Sequence, residues 1–190
     1  MDNLNVLMIG DPHIMDSATR EVEELTSKLS LMISSVNSGV ISFEGLDQFF
    51  KNGTSERMSQ TFSDKFDIAV IMGDVLDRHG TCSVYSHKRA VELFEVISAQ
   101  IPLFVIIGNH DRPYNSDFLS DYHFFSGLKD KKNLYIIDKA KVYNIIKGTS
   151  GVTITETCEG EQGIFFLFVP YVPNGKFTEA IDTIKNLNIS

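Results

Sequence analysis

The chain has 190 residues, enough for one domain with a core that folds alone, and 43% hydrophobic, 11% aromatic and 22% charged residues make an ordinary globular composition. A formal net charge of −8 with a pI near 5.0 weighs against a broad electrostatic footprint on nucleic acid, which rests on clustered Lys and Arg, although divalent ions held among the carboxylates would offset part of that charge. Cys82 and Cys158 are too few and too far apart for a disulfide framework or a structural zinc site, and no apolar run approaches membrane-spanning length, so the sequence points to a reduced, cytoplasmic chain with no membrane partner.

The apolar run 4–9 stops at Gly10-Asp11-Pro12-His13, which reads as a buried strand delivering an acidic and an imidazole side chain. Capping residues at 16–19, followed by Val22, Leu25, Leu29, Met32 and Ile33 at helical spacing, predict a helix over about 18–34. Residues 35–64 are then an excursion, far longer than the ~2–6 residues such a connection needs. Within it Phe43, Leu46, Phe49 and Phe50 fit one short amphipathic helix, either a docking aromatic patch or a specificity element.

The second run, 66–72, is apolar on consecutive positions, as in a parallel strand covered on both faces, and it ends at Gly73-Asp74 with Asp77-Arg78 just beyond. Taken alone, the Asp74 carboxylate reads as a metal ligand or a helix cap. A crossover helix follows over 83–99, with Val84, Ala90, Val91, Phe94, Val96 and Ile97 as its packing face and His87 at its surface. The third run, 102–107, ends at Gly108-Asn109-His110-Asp111. Residues 112–125 mix aromatic and polar side chains, expected as a loop and short helix over the mouth of a site. From 133 to 169 the pattern is all-β and should begin a second sheet, before a final helix over 177–187.

Three strands therefore end in Gly followed by Asp or Asn, and if they are parallel neighbours, Asp11, His13, Asp74, Asn109 and His110 meet at one carboxyl edge, where open α/β sheets bind ligands. That mixture of carboxylate, imidazole and amide oxygen suits hard and borderline metals such as Mn²⁺, Fe or Zn²⁺. In this order, Gly-Asp-x-His, Gly-Asp-x-x-Asp and Gly-Asn-His-Asp resemble the calcineurin-like metallophosphoesterase superfamily over residues 1 to about 115.

The resemblance implies a four-layer αββα sandwich and a hydrolase of phosphate esters using two divalent cations, Mn²⁺ favoured. By it Asp74 would bridge the cations, Asp11 and His13 hold the first and Asn109 the second, with His110 as the acid on the leaving oxygen, Asp111 orienting its imidazole and Asp77 in the outer shell. Arg78, in Gly-Asp-x-x-Asp-Arg-x-Gly, would bind the substrate phosphate; alternatively it pairs with Asp77 or Asp111. The order of an aromatic strand, a Pro-Tyr loop and a helix after the third motif resembles the nuclease subunits of double-strand-break-repair exonucleases, which favours phosphodiesters, DNA among them, over phosphomonoesters or nucleotides.

The same family carries further histidine ligands downstream, and residues 124–190 contain no histidine. The expectation is a single domain over 1–190 truncated at its carboxyl end, its second sheet incomplete, needing a complementing carboxyl-terminal half or partner chain. The competing expectation is a catalytically inactive metal-binding or scaffolding module.

Overall fold

The computed structural model describes residues 3–46, 63–160 and 162–184. Its first sheet is parallel throughout, in the order β1 (Val6–Ile9), β2 (Ile68–Ile71), β3 (Leu103–Ile106) and β4 (Leu134–Ile137). Every residue of β2 is buried, because both its faces are covered. On one face lie α1 (Thr19–Asn37) and α2 (Val84–Ser98), which bring Val22, Leu29, Ile33, Leu93 and Phe94 against Ile9, Ile71 and Val105.

On the other face stands an antiparallel sheet of β5 (Lys141–Gly148), β6 (Gly151–Glu156) and β7 (Ile164–Phe168), in the order β6-β5-β7. The seam between the sheets is aromatic. Phe104 stacks on Phe168 at 4.6 Å and on Tyr135 at 4.7 Å, and meets Tyr143 edge-on at 5.2 Å. Burying each such ring contributes roughly 1.5–3 kcal/mol before packing is counted. This α/β arrangement, a helix layer on a parallel sheet with an antiparallel sheet behind it, is the expected sandwich, with three strands of the second sheet and the short helix α3 (Phe177–Ile181) among the described residues. No helix among them is long and apolar enough to cross a membrane.

Several expectations are corrected. Residues 134–137 were expected in the second sheet but pair with β3 in the first, since a run buried on nearly every position needs cover on both faces. The face of α2 is set by Ser86, Ala90, Leu93, Phe94 and Ile97. Val84 belongs to the opposite side and is 82% exposed. His87 is half-buried, its Nε2 3.1 Å from the Phe124 carbonyl and its ring stacked on Phe125, so it fastens α2 to the 112–125 segment. The capping residues before α1 do not cap it. Asp16 instead accepts hydrogen bonds from the hydroxyls of Ser83 and Ser86 at the start of α2. Of the 35–64 excursion, Ile41 is buried and Phe43 packs on Phe66 at 5.0 Å, while Phe49 and Phe50 lie outside the described residues.

Residues 112–125 form turns rather than a helix, and a buried polar hub fixes their path. The Arg112 side chain is fully buried and donates to the carbonyls of Asp117 (2.6 Å), Ser120 (2.7 Å) and Asp138 (2.8 Å). The Asp138 carboxylate meets Lys129, and Nε2 of His123 at 3.4 Å, the His123 Nδ1 accepting from the Phe125 amide. Burial alone would push the Asp138 carboxyl up, but the His123 ring nitrogen 3.4 Å away and the Lys129 ammonium outweigh it and hold the carboxyl well below the usual range. A depressed folded-state pKa stabilises the fold above the unfolded value of ~3.9 and loses that contribution as pH falls further. Asp138→Asn is therefore expected to cost about 2 kcal/mol at pH 7. Urea unfolding at pH 7 and below ~4 should show the gap between wild type and variant narrowing in acid, and a gap independent of pH would count against this account.

Candidate metal centre

The strand ends assemble the site through backbone first. Beyond β1 and β2 the two loops run on together: the His13 amide donates to the Asp74 carbonyl at 3.1 Å and the Ile14 amide to the Val75 carbonyl at 2.8 Å. His13 and Asp74 both sit at positive φ, 44° and 45°, in a left-handed conformation that costs non-glycine residues roughly 1 kcal/mol and gathers at functional sites. Asp74 also needs room. A Cβ on Gly108 would lie 2.1 Å from Asp74 Oδ1 and 2.2 Å from its amide nitrogen, so only glycine at the end of β3 admits that carboxylate. Gly73, at φ +101°, lies directly against Gly108, whereas the third glycine of the pattern, Gly10, has open space around it.

The predicted residues come together here. The Asp74 Oδ1 accepts the His110 amide at 3.0 Å. His13 bridges two acids, with Nε2 3.0 Å from Asp11 and Nδ1 3.6 Å from Asp77. The Asp11 carboxyl is held below its usual range, first by its own backbone amide and then by His13, in spite of being 67% exposed. The His110 Nδ1 rests 2.6 Å from the Asp77 carbonyl, and the His13 ring meets His110 edge-on at 5.1 Å.

Asp111 lies elsewhere than expected. Its fully buried carboxylate does not reach the His110 ring; it accepts the amides of Leu76 at 3.0 Å and Gly108 at 2.9 Å, tying the loop after β2 to the end of β3. Burial pushes this carboxyl above its ordinary range against the pull of those amides. The group orienting His110 is the Asp77 main-chain carbonyl, because the turn after Asn109 points the Asp111 side chain inward. Arg78 is exposed and makes no ion pair within 4.0 Å among the described residues, so neither alternative pairing forms. It lines a cleft of about 420 Å³ with Met15, Asp16, Asp77, Cys82 and Ser83, where the charge of Arg78 helps the Ser83 and Ser86 hydroxyls keep the Asp16 carboxyl low.

Sequence reasoning left His79 unassigned, and the structure places it in the cluster. Its Nδ1 lies 2.9 Å from the Asn109 carbonyl, its Nε2 3.5 Å from the Asn109 amide nitrogen, and its ring lies 4.2 Å from that of His110. Its position two residues after Asp77 was the only signal in the sequence.

The donor set can be tested against a divalent cation without one being present. Among the described residues no three His, Cys, Asp or Glu side chains close on a common point, His13 being turned onto Asp11. Asn109, however, presents its side-chain oxygen to both Asp74 oxygens at 3.1 Å. Three acceptors at that spacing repel unless an amide hydrogen or a cation lies between them. Turning the amide over gives the first, the amide then donating to both Asp74 oxygens, and a hard cation would give the second; a carboxylate and an amide oxygen are donors of the type such a cation takes.

The calcineurin-like phosphoesterase family matches residues 4–188, and the chain belongs to that family. It is 30% identical over 186 residues to "Putative phosphoesterase 244L" of Invertebrate iridescent virus 6, an alignment covering 98% of this chain and 50% of the relative. It is 28% identical over 182 residues to "Putative phosphoesterase 078R" of Invertebrate iridescent virus 3, covering 96% of this chain and 40% of the relative. The chain spans half or less of the length of these relatives, and members of the family generally use divalent metals.

Proposed function

We propose that this chain carries the amino-terminal half-site of a two-metal phosphoesterase acting on phosphodiesters, with DNA as the macromolecular substrate to try first. The observation that carries the reading is the convergence of Asp11, His13, Asp74, Asn109 and His110 at the carboxyl edge of one parallel sheet, with Gly108 leaving space only for the Asp74 carboxylate. Asp74 would be shared by both cations, Asp11 and His13 would hold the first with it, and Asn109 would hold the second. When bound, a pair of cations, for which Mn²⁺ is our first choice, supplies an activated water and neutralises charge in an in-line displacement.

The side chains do the rest. Arg78, unpaired at the rim of its cleft, forks onto two phosphoryl oxygens. His110, oriented by the Asp77 carbonyl, delivers a proton to the leaving oxygen. Among the described residues the second position would draw on Asp74 and Asn109, and residues 124–190 hold no histidine. Its remaining ligands are assigned to a complementing segment or partner chain, which the greater length of the relatives supports.

Mn²⁺ calorimetry and turnover of bis-p-nitrophenyl phosphate test this together. Residues 1–190 alone are expected to bind one Mn²⁺ at moderate affinity and turn over slowly, and the carboxyl-terminal half of a relative supplied in trans should raise second-ion occupancy and rate together. Two tightly bound Mn²⁺ and an ordinary enzyme rate from the 190-residue chain alone would overturn the half-site. Hydrolysis of p-nitrophenyl phosphate without the diester would select a phosphomonoesterase. Metal binding with no turnover under any supplementation would select a scaffold, the reading the absent histidines favour.

A further inference from the structure

We infer that His79 is a positioning residue for the metal centre: it sets which way the Asn109 amide faces. This rests on the proposed reading of Asn109 as a metal ligand and adds the residue that holds it ready.

His79 grips residue 109 at two points. Its Nδ1 lies 2.9 Å from the Asn109 main-chain carbonyl, an acceptor only, so Nδ1 carries the hydrogen and donates it. In the neutral ring this leaves a bare lone pair on Nε2, which lies 3.5 Å from the Asn109 side-chain nitrogen. An acceptor there draws the amide N–H₂ toward His79, and the amide oxygen is thereby turned to the Asp74 carboxylate, 3.1 Å away.

The reverse orientation has a different balance. It sends the amide nitrogen to both Asp74 oxygens at 3.1 Å and leaves the amide oxygen facing the His79 lone pair. Asp74 and His79 thus compete for one N–H₂ group. Without a cation the carboxylate is the stronger acceptor, since hydrogen bonds to ionised groups are roughly twice as strong as neutral ones. With a cation between Asp74 and the amide oxygen, the nitrogen is released, and His79 is the group placed to receive it. His79 therefore lowers the free energy of the metal-ready orientation relative to the closed one, as outer partners of metal ligands do. Its ring, 4.2 Å from that of His110, is held against the same cluster, and its exposure lets it be replaced without opening the core.

The test is Mn²⁺ calorimetry with the carboxyl-terminal half of a relative supplied in trans, read on the second ion taken up, on wild type, His79→Phe, His79→Gln and Asp74→Asn, with thermal melts confirming that each folds. His79→Phe keeps a ring against His110 but has neither polar atom, and is expected to weaken Mn²⁺ binding by ~10-fold, at the lower end of what losing an outer partner costs. His79→Gln offers one donor and one acceptor to the same two groups and should recover most of that loss. Phe binding within twofold of wild type would overturn the inference. Gln binding as weakly as Phe in a folded protein would also overturn it, since His79 would then act as a ligand itself. Absence of Mn²⁺ binding by wild type, or unchanged binding in Asp74→Asn, would instead defeat the metal-centre reading, and the inference with it.

Discussion

Asp74→Ala is expected to abolish divalent-cation binding, with Mn²⁺ affinity falling by more than ~100-fold, beyond the 10–100-fold that removal of an outer partner costs. The reason is its shared position. Asp74 lies against the Asn109 side-chain amide on one side and accepts the His110 amide on the other, so under the proposed reading one substitution would remove a charge from both cation positions, and it leaves a main-chain N–H without its acceptor. Alanine at φ 45° also carries a backbone penalty, so Asp74→Asn is the cleaner companion: asparagine tolerates the left-handed conformation and keeps the shape while removing the charge. Both variants should melt as cooperative folded proteins, because Ile71, Val75 and Leu76 around them are buried and untouched. Calorimetry showing wild-type Mn²⁺ affinity in the asparagine variant would defeat the bridging assignment.

For His110→Asn the expected result is the reverse: unchanged metal occupancy with turnover reduced by ~10²–10⁴-fold, the range typical of losing a general acid. The His110 backbone amide still reaches Asp74, so the metal side of the site survives the substitution. Only the ring is lost, and its Nδ1 is anchored on the Asp77 carbonyl at 2.6 Å, leaving Nε2 as the nitrogen that can face a leaving oxygen. An aryl leaving group of low pKa needs little protonation and should be hurt far less than an alkyl one. Comparing bis-p-nitrophenyl phosphate with a dinucleoside phosphate, whose leaving group is an alkoxide, would therefore separate the roles. Equal losses on both would show that His110 is not the acid.

The expected insensitivity of metal binding to His110, set against its dependence on His79, also distinguishes two imidazoles whose rings lie 4.2 Å apart. Proximity alone assigns neither. Their hydrogen-bond partners do, His110 being held by residue 77 and His79 by residue 109.

The sequence by itself determined three strands of the parallel sheet and the polar residues at their carboxyl ends. A run of consecutive apolar residues ending in glycine is a local statement, since burial on both faces and release of the backbone are properties of neighbouring positions, and three such runs named Asp11, His13, Asp74, Asn109 and His110. The family followed from the same three motifs and is met over residues 4–188. What only the tertiary structure decided is which partner each polar group takes. Asp111 clamps the amides of Leu76 and Gly108, and the first of these is 35 positions away. Arg112, at the start of a segment expected as a loop and short helix over the mouth of a site, is buried because three carbonyls from residues 117, 120 and 138 converge on it. Strand β4 joined the first sheet because an edge of β3 was open to it, and His79 entered the site because the loop after Asp77 folds back onto Asn109. Side-chain pairing across such separations depends on how the layers dock, and the periodicity of a single strand or helix carries no record of that.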